Sequence, residues 1–320
     1  MRLAILIMST EVEPSLRNVE AMKRTMVKQT NEETFKHEYD FFTYTCIDEP
    51  DKEYDTVLSC EKDEAYKNYY NIRINEKESV YRTFEKTYVT YKYLLDNEEK
   101  YGRYDRFVRI NISCYVNMRL LDAVIDQMKD DIIYTNAMNT FVNVLGPCLN
   151  KFYPRGDFYI VSHDILVGMM QVGEKFMHCD ESLSSTGRIE IPHVDDTLFG
   201  YAFIQYAGFE YYKHLQMIKY NFLPSTGDQT DFIKGHIDKY AISSRVKTTP
   251  PGQVSGYSWD DNDWRRHDPI KMEIVHEYVK DINYENITLE DIVISPLQER
   301  ETIFVQASNL KPYQIISMTT

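Results

Sequence analysis

Three polar side chains at alternate positions, Arg109, Asn111 and Ser113, end a short apolar run, Phe107-Val108-Arg109-Ile110. Side chains alternate across a strand, so on a strand all three point the same way. A cation, an amide and a hydroxyl together suit an anionic, hydroxyl-rich ligand. An apolar run this short, bounded by Asp105-Arg106, fits a central strand. In open α/β sheets, ligands bind beyond the carboxyl ends of the strands. The same alternation also describes an edge strand with one wet face, and this stretch alone decides neither. A second pair, Asp195-Asp196, stands before an apolar helical run. A carboxylate there can take a proton from a hydroxyl, and two acids at that place are equally an ordinary helix N-terminus.

The elements that must position these groups follow from the apolar pattern. Residues 2–8 read as a first strand that ends in Ser9-Thr10. Pro14 and Ser15 open a helix with Val19, Met22 and Met26 at helical spacing. Residues 41–45 and 55–59 read as the second and third strands. This order is how a doubly wound nucleotide-binding domain begins. No G-x-G-x-x-G and no Walker lysine is present, so neither a dinucleotide nor a P-loop site is supported. Residues 77–97 predict a long helix and 118–128 another. Residues 132–134 predict a short strand, and 158–161 a strand whose Ser162-His163-Asp164 starts the next helix. Residues 201–222 read as a tyrosine-rich helix. Residues 223–270 read as a long irregular connection, the kind that is usually a functional lid or disordered. It holds Arg245, Lys247, Arg265, Arg266 and His267, the densest basic cluster of the chain. A helix from 270 and short strands near 292–294 and 303–305 complete the reading. The expected organisation is one structural unit: a core over 1–222 and a C-terminal lid or extension over 223–320 that packs on it.

At 320 residues the chain can bury a sizeable core. A formal net charge of −14 disfavours nucleic acid as a partner, since phosphates need a basic face. Five widely spaced cysteines form neither a disulfide framework nor a CxxC metal pattern, which points to a reducing compartment. The apolar run of residues 3–8 is too short to span a membrane and lacks the flanks of a signal peptide. A cytoplasmic protein is therefore expected, with the sequons at Asn111 and Asn286 unused.

Four segments, in order, resemble the beta-1,3-glycosyltransferases that include Fringe and the beta-1,3-galactosyltransferases. Residues 78–87 are similar to that family's Asp-x-Tyr-x-Asn-Leu-Thr-x-Lys-Thr helix, with Lys86-Thr87 in register and Glu78 in place of the Asp. The central stretch resembles hydrophobic-hydrophobic-Lys-Thr-Asp-x-Asp-x-Phe-Val-Asn. Arg109 takes the Lys place, Asn111 and Ser113 the two metal-binding acids, and Tyr115-Val116-Asn117 the trailing Phe-Val-Asn. Tyr153-Pro154-Arg155-Gly156-Asp157 leads into a segment like Gly-x-Gly-Tyr-Val-Leu-Ser, with Asp157 where the family is usually small. His193-Val194-Asp195-Asp196-Thr197-Leu198-Phe199-Gly200 looks like Fringe's Asp-Asp-x-Thr-x-Gly.

The resemblance implies a GT-A fold, a mixed and mostly parallel sheet flanked by helices. It implies an inverting transfer of sugar from a nucleotide diphosphate, UDP in that family's pattern, to a hydroxyl of a glycan or lipid-linked saccharide. Asp196, with Asp195 beside it, would be the general base. Ser9, Thr10, Lys86, Arg109, Asn111, Ser113, Arg245 and Lys247 would bind the donor, and Gly156, Asp157 and His193 the acceptor. Read only as a helical residue, Lys86 is a solvated charge.

With Asn111 and Ser113 in the acid positions, affinity for Mn²⁺ or Mg²⁺ should fall sharply. Three arrangements remain open for the charge of the leaving group. Arg109, Lys86, Arg245 and Lys247 clamp the phosphates directly; a weakly held metal is shared with Asn111; or a metal sits at Asp261-Asn262-Asp263. A nucleotide-sugar or glycan-binding protein that has lost catalysis is the alternative function. A hydrolase finds no support, for want of a G-x-S-x-G or a clustered His/Cys set.

Overall fold

The structure, a computed structural model, describes residues 1–49, 53, 55–76, 83–140, 152–174, 195–223, 230–248 and 265–294, without the side chains of 138–140, 152–153, 195–198, 201 and 209. The first strand, β1 (Arg2–Met8), lies at the middle of the sheet. Leu3, Ile5 and Ile7 enter one apolar cluster, while Ala4, Leu6 and Met8 enter another on the opposite face. Burial on both faces is why this strand is a continuous apolar run.

Parallel neighbours flank β1: β2 (Glu38–Ile47) on one side and β5 (Arg106–Asn111) on the other. Beyond β2 come β4 (Tyr69–Asn75), parallel to it, and β3 (Thr56–Lys62) at the edge, antiparallel to β4. Beyond β5 come β10 (Phe158–Ser162), antiparallel, then β7 (Ile133–Thr135) and β11 (Leu215–Met217). Within this eight-stranded sheet only β3 and β10 run against the rest. A smaller sheet joins β12 (Tyr220–Phe222), β13 (Ser243–Arg245) and β6 (Cys114–Val116), and a third pairs β8 (Met138–Thr140) with β9 (Phe152–Pro154).

Helices cover both faces. On the Leu3/Ile5/Ile7 side pack α1 (Ser15–Met22), a π-helical stretch (Lys23–Val27), α2 (Lys28–Glu32) and α5 (Met118–Val124), preceded in the chain by α3 (Thr83–Asp96) and α4 (Glu98–Tyr101). On the other side α3 packs with α6 (His163–Gly173) and α7 (Asp195–Ala207), through Tyr91, Leu94, Leu166, Met169, Phe199 and Phe203. Later helices are α8 (Thr230–Lys234), α9 (Asp268–Val279) and α10 (Leu289–Ile292). The expected class holds: α/β, a mixed and mostly parallel sheet flanked by helices.

The Leu3 cluster also includes Ile233, Ile242, Val246, Met272, Val275 and Ile292, so one buried core joins β1 to residues well past 222. One sequence expectation gives way, and one strand was not foreseen. The helix expected over 201–222 stops at Ala207, where Gly208 adopts φ +73°. A left-handed residue ends a helix at little cost when it is glycine, and the chain after the following 3₁₀ stretch supplies β11 and β12. Strand β4 went unread because Asn71, Arg73 and Asn75 interrupt its apolar pattern. The strand expected near 303–305 lies outside the described residues.

Candidate functional site

From β1 the first half of the sheet grows toward β2, while β5 lies on the other side. The order of strands therefore reverses between β1 and β5, and such a switch point leaves a crevice at the carboxyl ends. Met8 and Asn111 are register partners at those ends. A small cleft opens there, lined by Met8, Ser9, Thr10, Ser15, Thr83, Lys86, Asn111 and Ile112. Ser9 N–H donates to the Tyr44 carbonyl (3.1 Å), which holds the turn after β1 against β2. Thr10 Oγ1 donates to Ser15 Oγ at the start of α1 (2.7 Å).

Helix α3 brings Lys86 in from above. Its side chain is buried, and Nζ donates to the Ser9 carbonyl. Tyr44 and Thr87 share a hydrogen bond of 3.1 Å that fixes this helix to β2. Lys86 is thus no solvated helix charge. Ser9, Thr10, Lys86 and Asn111, four of the residues expected at the donor, line one cavity.

Arg109 is wholly buried, and its Nη2 lies 3.2 Å from Met8 Sδ. Its strand is central, which removes the wet-edge reading of this stretch. The shared direction of the triplet ends at Asn111, because β5 ends there. Ser113 N–H donates to Asn111 Oδ1 (3.2 Å), an Asx-type turn. Ser113 Oγ accepts a hydrogen bond from the Arg265 guanidinium. Ser113 therefore faces Arg265 and is not among the residues lining the β1/β5 cavity.

A second polar group adjoins the first. Asn111 N–H donates to the Asp157 carbonyl (3.0 Å). The Asp157 carboxylate accepts from Arg155 and Arg245 through the same oxygen. Burial pushes the Asp157 carboxyl up, and the charges of Arg155, Arg109 and Lys247 oppose that. Burial lowers Lys247, and nearby Arg265 lowers it further. Arg265 Nε donates to Asp268 Oδ2 (2.5 Å), and Thr248 N–H donates to Asp268 Oδ1 (2.7 Å). Of the residues expected at an acceptor, Asp157 is thus engaged with two arginines, Gly156 precedes it in the turn before β10, and His193 lies outside the described residues.

Asp195 and Asp196 open α7; their side chains lie outside those described. One turn on, Phe199 stacks on Tyr159 with centroids 4.4 Å apart. Tyr159 is the register partner of Arg109. The backbone of α7 also lies against β9, which leads into Gly156-Asp157. The helix that begins with the two acids is therefore anchored beside the central strand.

The turn after β5 offers a divalent cation no carboxylate, and its side-chain oxygens are already in hydrogen bonds. Asn111 Oδ1 is used by Ser113 N–H and Ser113 Oγ by Arg265. Among the described residues no three His, Cys, Asp or Glu side chains converge; Asp261-Asn262-Asp263 lies outside them. Sequence reasoning missed Arg155 and the roles of Arg265 and Asp268. Arg155 sits inside a segment already singled out, whereas nothing local marks Asp268 as the partner of Arg265. Among the described residues Cys46, Cys60 and Cys114 are free thiols, and no helix is long and apolar enough to cross a membrane.

Fold and cavity together define an α/β protein with helices on both sheet faces and a crevice at its switch point. No family model matches the chain, and no curated protein matches it. Among solved structures it is similar to a glycosyltransferase involved in the glycosylation of the major capsid of PBCV-1, with 12% identity and a TM-score of 0.41, covering 84% of this chain and 99% of that chain.

Proposed function

We propose that the chain is an inverting glycosyltransferase of GT-A architecture. It takes a nucleotide-diphosphate sugar, a UDP-sugar by the resemblance, at the β1/β5 crevice, and moves the sugar to a hydroxyl of a glycan or lipid-linked saccharide. One observation carries this reading. Ser9, Thr10, Lys86 and Asn111, singled out from separate segments, line a single cavity at the switch point of the sheet. In the reaction the acceptor oxygen attacks the anomeric carbon while the bond to the diphosphate breaks. The electron pair leaves on the diphosphate oxygen, and the acceptor proton passes to the Asp196 carboxylate. Lys86, which lines the crevice, orients the donor, while Arg109, wholly buried in the sheet and outside that lining, contributes only its charge. In this reading the enzyme works in the cytoplasm.

The departure at Asn111 and Ser113 favours a second reading, a nucleotide-sugar or glycan-binding protein without turnover. Purified protein separates the two. A nucleotide sugar that binds the folded state raises its melting temperature in either case. Release of free nucleotide from that donor, with or without acceptor, requires catalysis. Asp196→Asn should then lose on the order of 10²–10⁴-fold in turnover, the usual contribution of a positioned base, while Asp195→Asn stays near wild type. The reverse pattern moves the base to Asp195. A donor that stabilises the protein yet is never cleaved leaves the binding reading.

A further inference from the structure

The pairing of β13 with β6 sets Arg245 opposite Cys114, and Val246 N–H donates to the Ser113 carbonyl (2.9 Å). Residues two apart on an extended chain share a side, so Arg245 and Lys247 flank Val246, whose side chain is buried in the core. Arg155 arrives from the loop before β10 and Arg265 from the start of the α9 segment. Four cations, Arg155, Arg245, Lys247 and Arg265, thus meet at the carboxyl end of β5 around two carboxylates, Asp157 and Asp268. Arg109 lies beneath them and acts on Asp157.

The two acids are spent on the arginines: Asp157 on Arg155 and Arg245, Asp268 on Arg265. Lys247 makes no ion pair among the described residues. Buried or half-buried charge is normally compensated, so a site with this surplus suits a ligand carrying two or more negative charges. Arginine forks match phosphate oxygens, and lysine binds them as a point charge. The cluster touches the β1/β5 cavity through Asn111, whose N–H is bound by the Asp157 carbonyl and whose side chain lines the cavity.

We infer that this cluster is a metal-independent diphosphate clamp, in which fixed cations occupy the turn where the resembled family places a divalent ion. Its link to a sugar donor rests on the function proposed above, but the clamp itself does not. Departing negative charge is stabilised by these preorganised cations.

The test is calorimetric titration of the full chain with inorganic pyrophosphate in EDTA. Wild type should bind. Lys247→Gln should bind about tenfold more weakly, the low end for losing a hydrogen bond to a charged group. Lys247→Arg should keep most of the affinity. Lys280→Gln, which removes an equal charge from a half-exposed surface site paired with Glu277, should bind as wild type. Thermal melts confirm that each variant is folded. Pyrophosphate binding that needs Mn²⁺ or Mg²⁺, or that is equally weakened by Lys280→Gln, or unchanged by Lys247→Gln, overturns the inference. The two readings fail separately. Metal-free pyrophosphate binding with no response to any nucleotide sugar sinks the transferase and leaves the clamp. Donor cleavage that occurs only with a divalent ion does the opposite.

Discussion

Replacing Asp268 with asparagine should unfasten the C-terminal part of the chain from the central strand. The carboxylate is wholly buried and accepts from Arg265 Nε (2.5 Å), Thr248 N–H (2.7 Å) and Asn18 Nδ2 (3.5 Å). Asparagine matches it in size and keeps one acceptor oxygen for Thr248. Its amide N–H groups then face the guanidinium, donor against donor, and the charge opposite Arg265 is gone. Removing one member of a buried pair costs about 3–5 kcal/mol, because the other charge is left without compensation. Arg265 still donates to Ser113 Oγ, so the lower end, about 3 kcal/mol, is expected. With a urea slope near 3 kcal/mol per molar, the midpoint should drop by about 1 M. Removing both partners, Asp268→Leu with Arg265→Met, should recover most of the loss, since a buried pair exchanged for apolar groups is often neutral. A single-variant midpoint within about 0.3 M of wild type, at an unchanged slope, refutes the reasoning.

Lys271 is also buried beside Asp268, and burial lowers it from 10.5 to about 8. Between those two values the unfolded chain holds a proton that the folded one has released, so stability should rise with pH across this window, by on the order of 3 kcal/mol at most. Buried thiols and tyrosines with raised values oppose this trend, so the check is the difference: urea midpoints from pH 7.5 to 10.5 should climb more steeply, or fall less, in wild type than in Lys271→Met. Phe199→Ala removes the ring stacked on Tyr159 at 4.4 Å; a loss of about 3 kcal/mol in chemical denaturation is expected. Because α7 begins with Asp195-Asp196, transfer assayed well below the denaturation midpoint should slow as well, and an unimpaired rate would detach that helix from the reaction.

The inner strands were legible because burial on both faces leaves a nearly continuous apolar run. Strand β1 shows it fully, and β5 shows it with one cation inserted at Arg109. The meeting of Ser9, Thr10, Lys86 and Asn111 was legible only through order along the chain and the rule that sites gather at strand ends. Residues 201–222 misled the reading, since a tyrosine-rich helix and a helix followed by two short strands share one apolar content. The glycine at 208 was the available signal. Arg265 was visible as part of a basic cluster, and that composition suggested an exposed lid. Its burial depends on Asp268 and Ser113, which lie three residues away and far along the chain. Long-range pairing of this kind has no local signature.

The neutral side chains of Asn111 and Ser113 and the gathering of cations around them belong together. A carboxylate at position 113 would lie against Arg265, which Asp268 already pairs, and would lower the net positive charge of the cluster. Serine keeps the hydrogen bond and adds no charge. Asparagine at 111 closes the turn through its own Oδ1, which holds the Ser113 backbone in reach of Val246 and so fixes β13 beside β6. That pairing is what carries Arg245 and Lys247 to the end of β5. The neutral turn is therefore the structural condition for the positive cluster. Acids placed at 111 and 113 would have to displace Arg265 before they could hold a metal.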